Sequence, residues 1–357
     1  MKKLQLSGIR SEIDKIDLKL VDLLDQRAKI ALKIGKLKKV SNSKIYIPNR
    51  EKEVLSRIVK NSSGLMPKES LQNIFSEILH SARALQSRLK IAYFGPEASF
   101  THQAAIKNFG RYCDFIPMKS IGDVFQEVEK ERADYGVVPI ENSTEGIVNH
   151  TFDLFTESDL TICSELNLRI EECLLSNALD LKSVKKVYSH PNPLAQCRVW
   201  LEVNLPNARI IEAPSTSEAA KMVREMKTGA AIASSLASEL YGLKILAHAI
   251  EDSRENYTRF LVIANQITSR SGCDKTSIMF SIKDRVGALH DMLIPFQKHK
   301  INLTKIESRP TKRKAWEYIF FIDLAGHIED KKVKQALGEL EKQCVFLKIL
   351  GSYPRAE

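Results

Sequence analysis

The chain has 357 residues, 43% hydrophobic and 27% charged, a composition that fits a globular protein of two or three domains. Its formal net charge of +10 lies entirely in residues 1–88, which hold 19 Lys and Arg against 9 Asp and Glu, and this confinement argues against a chain-wide nucleic-acid surface. No apolar run reaches the ~20 residues of a membrane span, no apolar h-region follows Lys2 and Lys3, and none of the six cysteines forms a CxxC pair, so the expectation is a soluble, reduced, cytoplasmic protein without metal, cofactor, nucleic-acid or membrane partner.

Residues 8–40 read as one long helix. Ile9, Ile13, Ile16, Leu20, Leu23, Ile30, Ile34 and Leu37 recur at spacings of four and three. Helices over 49–60 and 67–88 follow, the latter after Gly64 and Pro67. Arg27 stands where the heptad calls for an apolar residue, and a buried guanidinium needs an anionic partner. Lys38, eleven residues later, returns to the same stripe within about 20°. Gln86 lies on the inner face of the third helix with Phe75, Leu79 and Ala82. A helix of about 50 Å outgrows a compact unit of ~30 Å, so a second copy is expected to cover it, and Arg10 is expected to serve the partner's site.

From Lys90 short apolar strands alternate with helices. Strands are read at 90–94, 135–140, 185–190, 208–213, 230–234 and 259–264, and helices at 120–132 and 215–227, each opening on a serine. This order predicts an α/β domain with a largely parallel sheet. Turn residues, hydroxyls and amides cluster at strand ends in 95–105, 139–149, 188–197 and 255–260, where open α/β folds place ligands. His190 reads either as a general acid or base or as a structural turn histidine. A polar linker, 266–274, leads to strand, helix (287–299), strand (303–309), strand (317–324), helix (330–343) and strand (345–350), the βαββαβ order of a ferredoxin-like unit.

Each segment resembles a known family. IRSEIDKIDLKLVDLLDQRAKIALKIGKLK, NREKEV and SARALQ resemble the all-helical chorismate mutases. The resemblance implies that Arg10, Arg27 and Arg50 bind the carboxylates of chorismate, that Lys38 and Gln86 face its ether oxygen, and that Glu51 accepts from the ring hydroxyl. Ile47 and Ala82 depart from the family's Asp and Ser. The rearrangement to prephenate needs no nucleophile, only a folded dianion and stabilised charge on the ether oxygen. Arginine forks suit the carboxylates.

PIENS and TRF make the middle segment resemble the prephenate dehydratases, whose fold is similar to type II periplasmic binding proteins. That resemblance implies Thr258 as the catalytic hydroxyl, with Asn142, Ser143, Ser189 and Gln196 lining an interlobe cleft. Arg259 either pairs with a substrate carboxylate or is paired within the protein. Threonine is a poor general acid, so Thr258 is expected to hydrogen bond the leaving oxygen.

GAL (287–289) and NLTKIESRP (302–310) in the last segment resemble an ACT domain of the phenylalanine-binding kind. The implied effector residues are Gly287, Ala288, Leu289, Asn302, Glu307, Ser308 and Arg309. A glycine at a helix N-terminus lets backbone approach an amino-acid carboxylate. The expected organisation is therefore an all-helical mutase over 1–88, a two-lobed dehydratase over 89–267 and an ACT domain over 275–357. Together they form a bifunctional enzyme of phenylalanine biosynthesis, inhibited by phenylalanine and at least dimeric. A dehydratase with an inactive helical dimeriser and a non-enzymatic sensor are the alternatives.

Overall fold

The computed structural model describes residues 2–41, 43–283, 285–310 and 318–356. The chain divides into two compact units: Met1–Leu89 with Phe109–Asp114, and Lys90–Asn108 with Phe115–Glu357. No helix among the described residues is long and apolar enough to cross a membrane.

The first unit holds α1 (Lys2–Val40), α2 (Pro48–Asn61) and α3 (Lys68–Gln86). Pro48 occupies the first turn of α2, where its missing N–H costs nothing. Gly35 sets the approach of α1 to α3, because a Cβ there would lie 3.0 Å from Gln86. At 1.5 Å per residue α1 is about 58 Å long. Ile9, Ile13, Ile16, Leu20 and Leu23, the first half of the predicted seam, are each more than half exposed in the single chain.

In the second unit, β1 (Lys90–Phe94), α4 (Phe100–Phe109), β2 (Asp114–Met118), α5 (Ile121–Glu129), β3 (Tyr135–Asn142), β4 (Gly146–Ile147), α6 (Asn149–Phe155) and β5 (Thr161–Arg169) build a first lobe. The chain crosses to a second lobe of β6 (Cys173–Ser176), β7 (Lys186–Ser189), α7 (Pro191–Gln196), α8 (Arg198–Asn204), β8 (Arg209–Glu212), α9 (Thr216–Val223), β9 (Gly229–Ala233), α10 (Ser235–Tyr241) and β10 (Lys244–Ala247). It returns as β11 (Tyr257–Ala264). The predicted serine caps form: Ser120 Oγ accepts from Asp123 N and Ser215 Oγ from Glu218 N, both at 3.0 Å.

The sheets run β2-β1-β3-β11-β5, with β4 on β3, and β10-β6-β9-β7-β8. The β1–β3, β7–β8 and β7–β9 pairs are parallel, but β11 is antiparallel to β3 and β5, and β6 to β9 and β10. The largely parallel sheet expected from sequence is thus two mixed sheets. In the first sheet the difference comes from β11, which re-enters the lobe that β5 leaves and so opposes β3 and β5; in the second it comes from β6, the strand by which the chain enters that lobe, which opposes β9 and β10.

The C-terminal part contains β12 (Asp274–Ile282), α11 (Ala288–Lys298), β13 (Leu303–Pro310), β14 (Tyr318–Ala325), α12 (Lys331–Glu341) and β15 (Cys344–Pro354), in the predicted βαββαβ order. Glu317, placed in the third of these strands from sequence, lies outside the described residues. The antiparallel sheet is ordered β13-β14-β12-β15. One face buries Ile278, Phe280 and Ile322 under Met292 and Phe296 of α11 and Leu337 of α12. The other contributes Met279, Phe321, Leu350 and Tyr353 to a core shared with Val138, Ile140, Ile162 and Leu261 of the first lobe. Backbones meet there: a Cβ on Gly351 would fall 2.2 Å from the Ile162 carbonyl oxygen.

Candidate active sites

In the helical unit α1 turns Arg27 and Lys38 inward on one stripe, as their spacing predicts. Arg27 Nη1 donates to the Ile78 carbonyl at 3.4 Å, and Lys38 Nζ to the Ile45 carbonyl at 3.0 Å. Glu51, in the first turn of α2, meets Arg83 of α3 at 2.7 Å. Burial pushes the Glu51 carboxyl up, against the pull of Arg83 and Lys38, and burial lowers Lys38, against Glu51. Gln86 donates to the Ala82 carbonyl at 3.4 Å, while its Oε1 is buried with no hydrogen-bond partner among the described residues. A buried amide oxygen without a protein donor calls for one from outside, such as a ligand hydroxyl.

Arg83 does not stand out in the sequence, although it is 3% exposed and central. It donates to the Phe109 carbonyl at 2.8 Å and lies 4.8 Å from the Tyr46 ring centroid. Arg50 is exposed and paired with Glu53 at 2.6 Å. Arg10 is exposed and lies about 25 Å along α1 from Arg27, so one chain does not bring them together.

The second site forms where β3 and β11 pair, with Thr258 opposite Asn142. Asn142 Nδ2 donates to Thr258 Oγ1 and to Asn256 Oδ1, both at 2.8 Å. Asn256 Nδ2 donates to Gln196 Oε1 at 3.1 Å, and Gln196 Nε2 to Glu145 at 3.2 Å. Asn142 Oδ1 in turn accepts from the backbone N–H groups of Thr144 and Glu145, at 2.8 and 2.9 Å. Ser143 accepts from Tyr257 N at 2.9 Å and donates to the Glu255 carbonyl at 2.8 Å. The result is a continuous amide and hydroxyl chain spanning both lobes. Accepting from Asn142 leaves the Thr258 O–H proton available to an external acceptor.

Asn256, 2% exposed and the middle of this chain, and Glu145 lie in polar strand-end stretches that the sequence marks, but neither is singled out there. Ser189 stands apart: it is fully buried and donates to the Ile232 carbonyl at 2.7 Å, because its side chain turns into the second lobe's sheet. His190 caps α7 by accepting from Asn192 N at 3.4 Å, the turn role. The buried Glu251 carboxyl and the Glu172 backbone tie the two crossovers between lobes together. Glu172 N donates to Glu251 Oε2 and Ile250 N to the Glu172 carbonyl, both at 2.9 Å. Burial, then Glu251 and Glu145, push the Glu172 carboxyl up to about 8.

Arg259 does not face the cleft. Its guanidinium meets Glu165 and Asp323 at 2.7 Å and Glu141 at 3.2 Å. Of the two readings its sequence position allows, pairing within the protein is the one its contacts fit, because strand alternation turns it away from Thr258.

At the C-terminal unit Gly287 N-caps α11 with φ +79, a left-handed conformation that favours glycine, and Ala288 opens the helix. Leu289 is exposed. The Asn302 carbonyl accepts from Ala325 N at 2.9 Å. Glu307, Ser308 and Arg309 lie on the edge strand β13. Arg309 is turned to the first lobe, where it pairs with Asp153 at 3.1 Å.

Residues 9–87 match the type II chorismate mutases, 91–268 the prephenate dehydratases and 276–342 the ACT domain. A bifunctional chorismate mutase/prephenate dehydratase of Aquifex aeolicus (strain VF5) is 49% identical over 99% of this chain and 98% of its own length. One of Stutzerimonas stutzeri is 42% identical over the same shares. Among solved structures, the prephenate dehydratase of Arthrobacter aurescens in complex with L-Phe superposes with a TM-score of 0.69 at 33% identity, covering 75% of this chain and 90% of its own. With identity of this level running through all three segments, the chain belongs to the bifunctional chorismate mutase/prephenate dehydratases.

Proposed function

We propose that the two activities of the family divide between the two units. The helical unit rearranges chorismate to prephenate, and Arg27, Lys38, Glu51, Arg83 and Gln86 form its pocket. Two inward donors support this reading: Lys38 Nζ, and Gln86 Nε2, which is engaged only by a long 3.4 Å bond to the Ala82 carbonyl, can both donate to the breaking ether oxygen. Arg50 joins them if it leaves Glu53 when a carboxylate arrives. Arg10 completes the pocket of a second copy, with the exposed apolar stripe of α1 as the dimer seam.

The cleft dehydrates and decarboxylates prephenate to phenylpyruvate, and the observation that carries this reading is Thr258 held by Asn142 as a donor. Ring aromatisation drives the loss of carbon dioxide. Thr258 donates to the departing hydroxyl, and Asn142, Asn256 and Gln196 orient it. Phenylalanine, with which the Arthrobacter aurescens dehydratase forms its complex, is the effector of the ACT unit, near Gly287–Leu289 and the 302–309 strand. We place the reaction in the cytoplasm.

The test is incubation of the purified chain with chorismate while prephenate and phenylpyruvate are followed, with and without phenylalanine. Formation of both products, and suppression of phenylpyruvate by phenylalanine, is the expected result. Phenylpyruvate from supplied prephenate but none from chorismate would leave the helical unit as a dimerisation module.

A further inference from the structure

Thr258 and Asn142 pair across β11 and β3, and the next register pair is Arg259 with Glu141. Alternation sends the first pair to the cleft and the second to the opposite face, against the C-terminal sheet. There Arg259 Nη1 meets Asp323 at 2.7 Å, and Nη2 donates to the Tyr353 hydroxyl at 3.2 Å. Lys275 meets Glu165 at 2.8 Å, and Lys305 pairs with Glu141. Ser277 links Asp323 to Tyr353, at 2.5 and 2.6 Å.

The cluster holds three cations and three carboxylates. The dehydratase part supplies Arg259, Glu141 and Glu165, a net charge of −1. The C-terminal unit supplies Lys275, Lys305 and Asp323, a net charge of +1. Neither side is neutral alone, and Arg259, Glu165 and Asp323 are each less than 10% exposed. A buried ionic cluster fixes geometry more than it adds stability, and losing one member leaves a charge uncompensated. Lys305 and then Arg259 hold the Glu141 carboxyl below its usual range, although burial, the largest influence, opposes them.

We propose that Arg259 and Glu141 are positioning residues of the dehydratase, held by Asp323, Tyr353 and Lys305 of the C-terminal unit so that Thr258 and Asn142, one residue away, keep their hydrogen bond. The C-terminal unit is then a working part of the cleft as well as its sensor. Any shift of β14 or β15 reaches Thr258 through a single residue step. The inference rests on Thr258 being the dehydratase hydroxyl.

The experiment uses the full chain carrying Asp323→Asn, with Lys305→Met and Arg259→Lys beside it and Thr258→Val as the reference. Dehydratase kcat on supplied prephenate is expected to fall about tenfold to a hundredfold in Asp323→Asn, the usual cost of displacing a catalytic group by about 1 Å. KM is expected to move less than threefold, and mutase rate to stay unchanged. Asp323→Glu, which restores the charge, should recover part of kcat. Lys305→Met, at the rim of the cluster, should act in the same direction if Asp323→Asn folds poorly. A lowered thermal midpoint with kcat retained in both variants would overturn the proposal and leave the cluster as structural glue. A raised KM with unchanged kcat in Arg259→Lys would return Arg259 to substrate binding. Full activity of Thr258→Val would refute the site reading itself, independently of the Asp323 result.

Discussion

Thr258 and Arg259 are consecutive on β11, yet one hydroxyl joins the interlobe amide chain and the next guanidinium joins an ion cluster on the other side of the sheet. Chemistry and its support are thus separated by the thickness of one strand. The placement of Thr258 opposite Asn142 gives the most direct test of the cleft.

Thr258→Val keeps the side-chain shape and removes the hydroxyl. Dehydratase kcat on supplied prephenate should fall by roughly 10²–10³, the range for losing one preorganised donor. The mutase rate should be unchanged. The thermal midpoint should move little, since the lost bond contributes about 1 kcal/mol and the methyl group fills the same space. Steady-state kinetics on both substrates with calorimetry checks all three. If the rate persists, Ser143, held at 2.8 Å on the Glu255 carbonyl, becomes the candidate hydroxyl.

In the helical unit, Lys38→Ala should lower mutase kcat by about 10²–10³. Stability should change far less, because Lys38 gives up one hydrogen bond to a carbonyl. Dehydratase activity should survive. A near-normal mutase rate would exclude Lys38 from the pocket.

The distance along α1 from Arg10 to Arg27 predicts a site assembled from two chains. Neither Arg10→Ala nor Arg27→Ala homodimers should show normal mutase activity. Mixed heterodimers should regain part of it, since one of their two sites keeps both arginines. Absence of complementation in heterodimers verified by mass would place the whole site in one chain.

Glu172 predicts a pH dependence of stability. Its folded pKa, near 8, lies above the unfolded value, so the fold holds a proton that the unfolded chain releases. Below the ordinary carboxylate range both states are protonated and nothing is lost. Stability then falls as pH rises toward about 8, by on the order of a few kcal/mol, and levels off above. Glu251, Glu145, Cys173 and Cys197 surround this carboxyl, and burial, with Glu172 adding to it, pushes the Cys173 thiol up. Thermal midpoints from pH 5 to 9 should drop for the parent chain, and Glu172→Gln should remove most of that drop. Parallel curves for the two proteins would dismiss Glu172 as the source.

The order of elements is largely legible in the sequence, because heptads, serine caps and short apolar runs each signal themselves locally. The strands β2, β5, β6 and β10 are not among those read there; in β5, Glu165 interrupts the apolar character. That carboxylate is tolerated because Arg259, Lys275 and the Ala356 N–H meet it, and no local pattern shows a partner 94 or 110 positions away. Ser189 fails as a cleft residue for a related reason: a strand end marks a place, while the hydroxyl's direction depends on the neighbouring β9. Asn256 and Arg83 are not singled out individually, because each lies in a stretch whose neighbours carry the stronger motif. The inward placement of Arg27, Lys38 and Gln86 is legible because helical geometry fixes a stripe without any tertiary knowledge.

Gly351 has a consequence for how the chain can vary. With no Cβ, it lets β15 rest on the backbone at Ile162, and any larger residue must push two sheets apart. Such a wedge would act first on the contacts that span the seam, among them Tyr353 against Arg259, two positions further along the strand. A substitution with no polar atom, far from either substrate, could thus detune a reaction centre by changing the spacing of two layers.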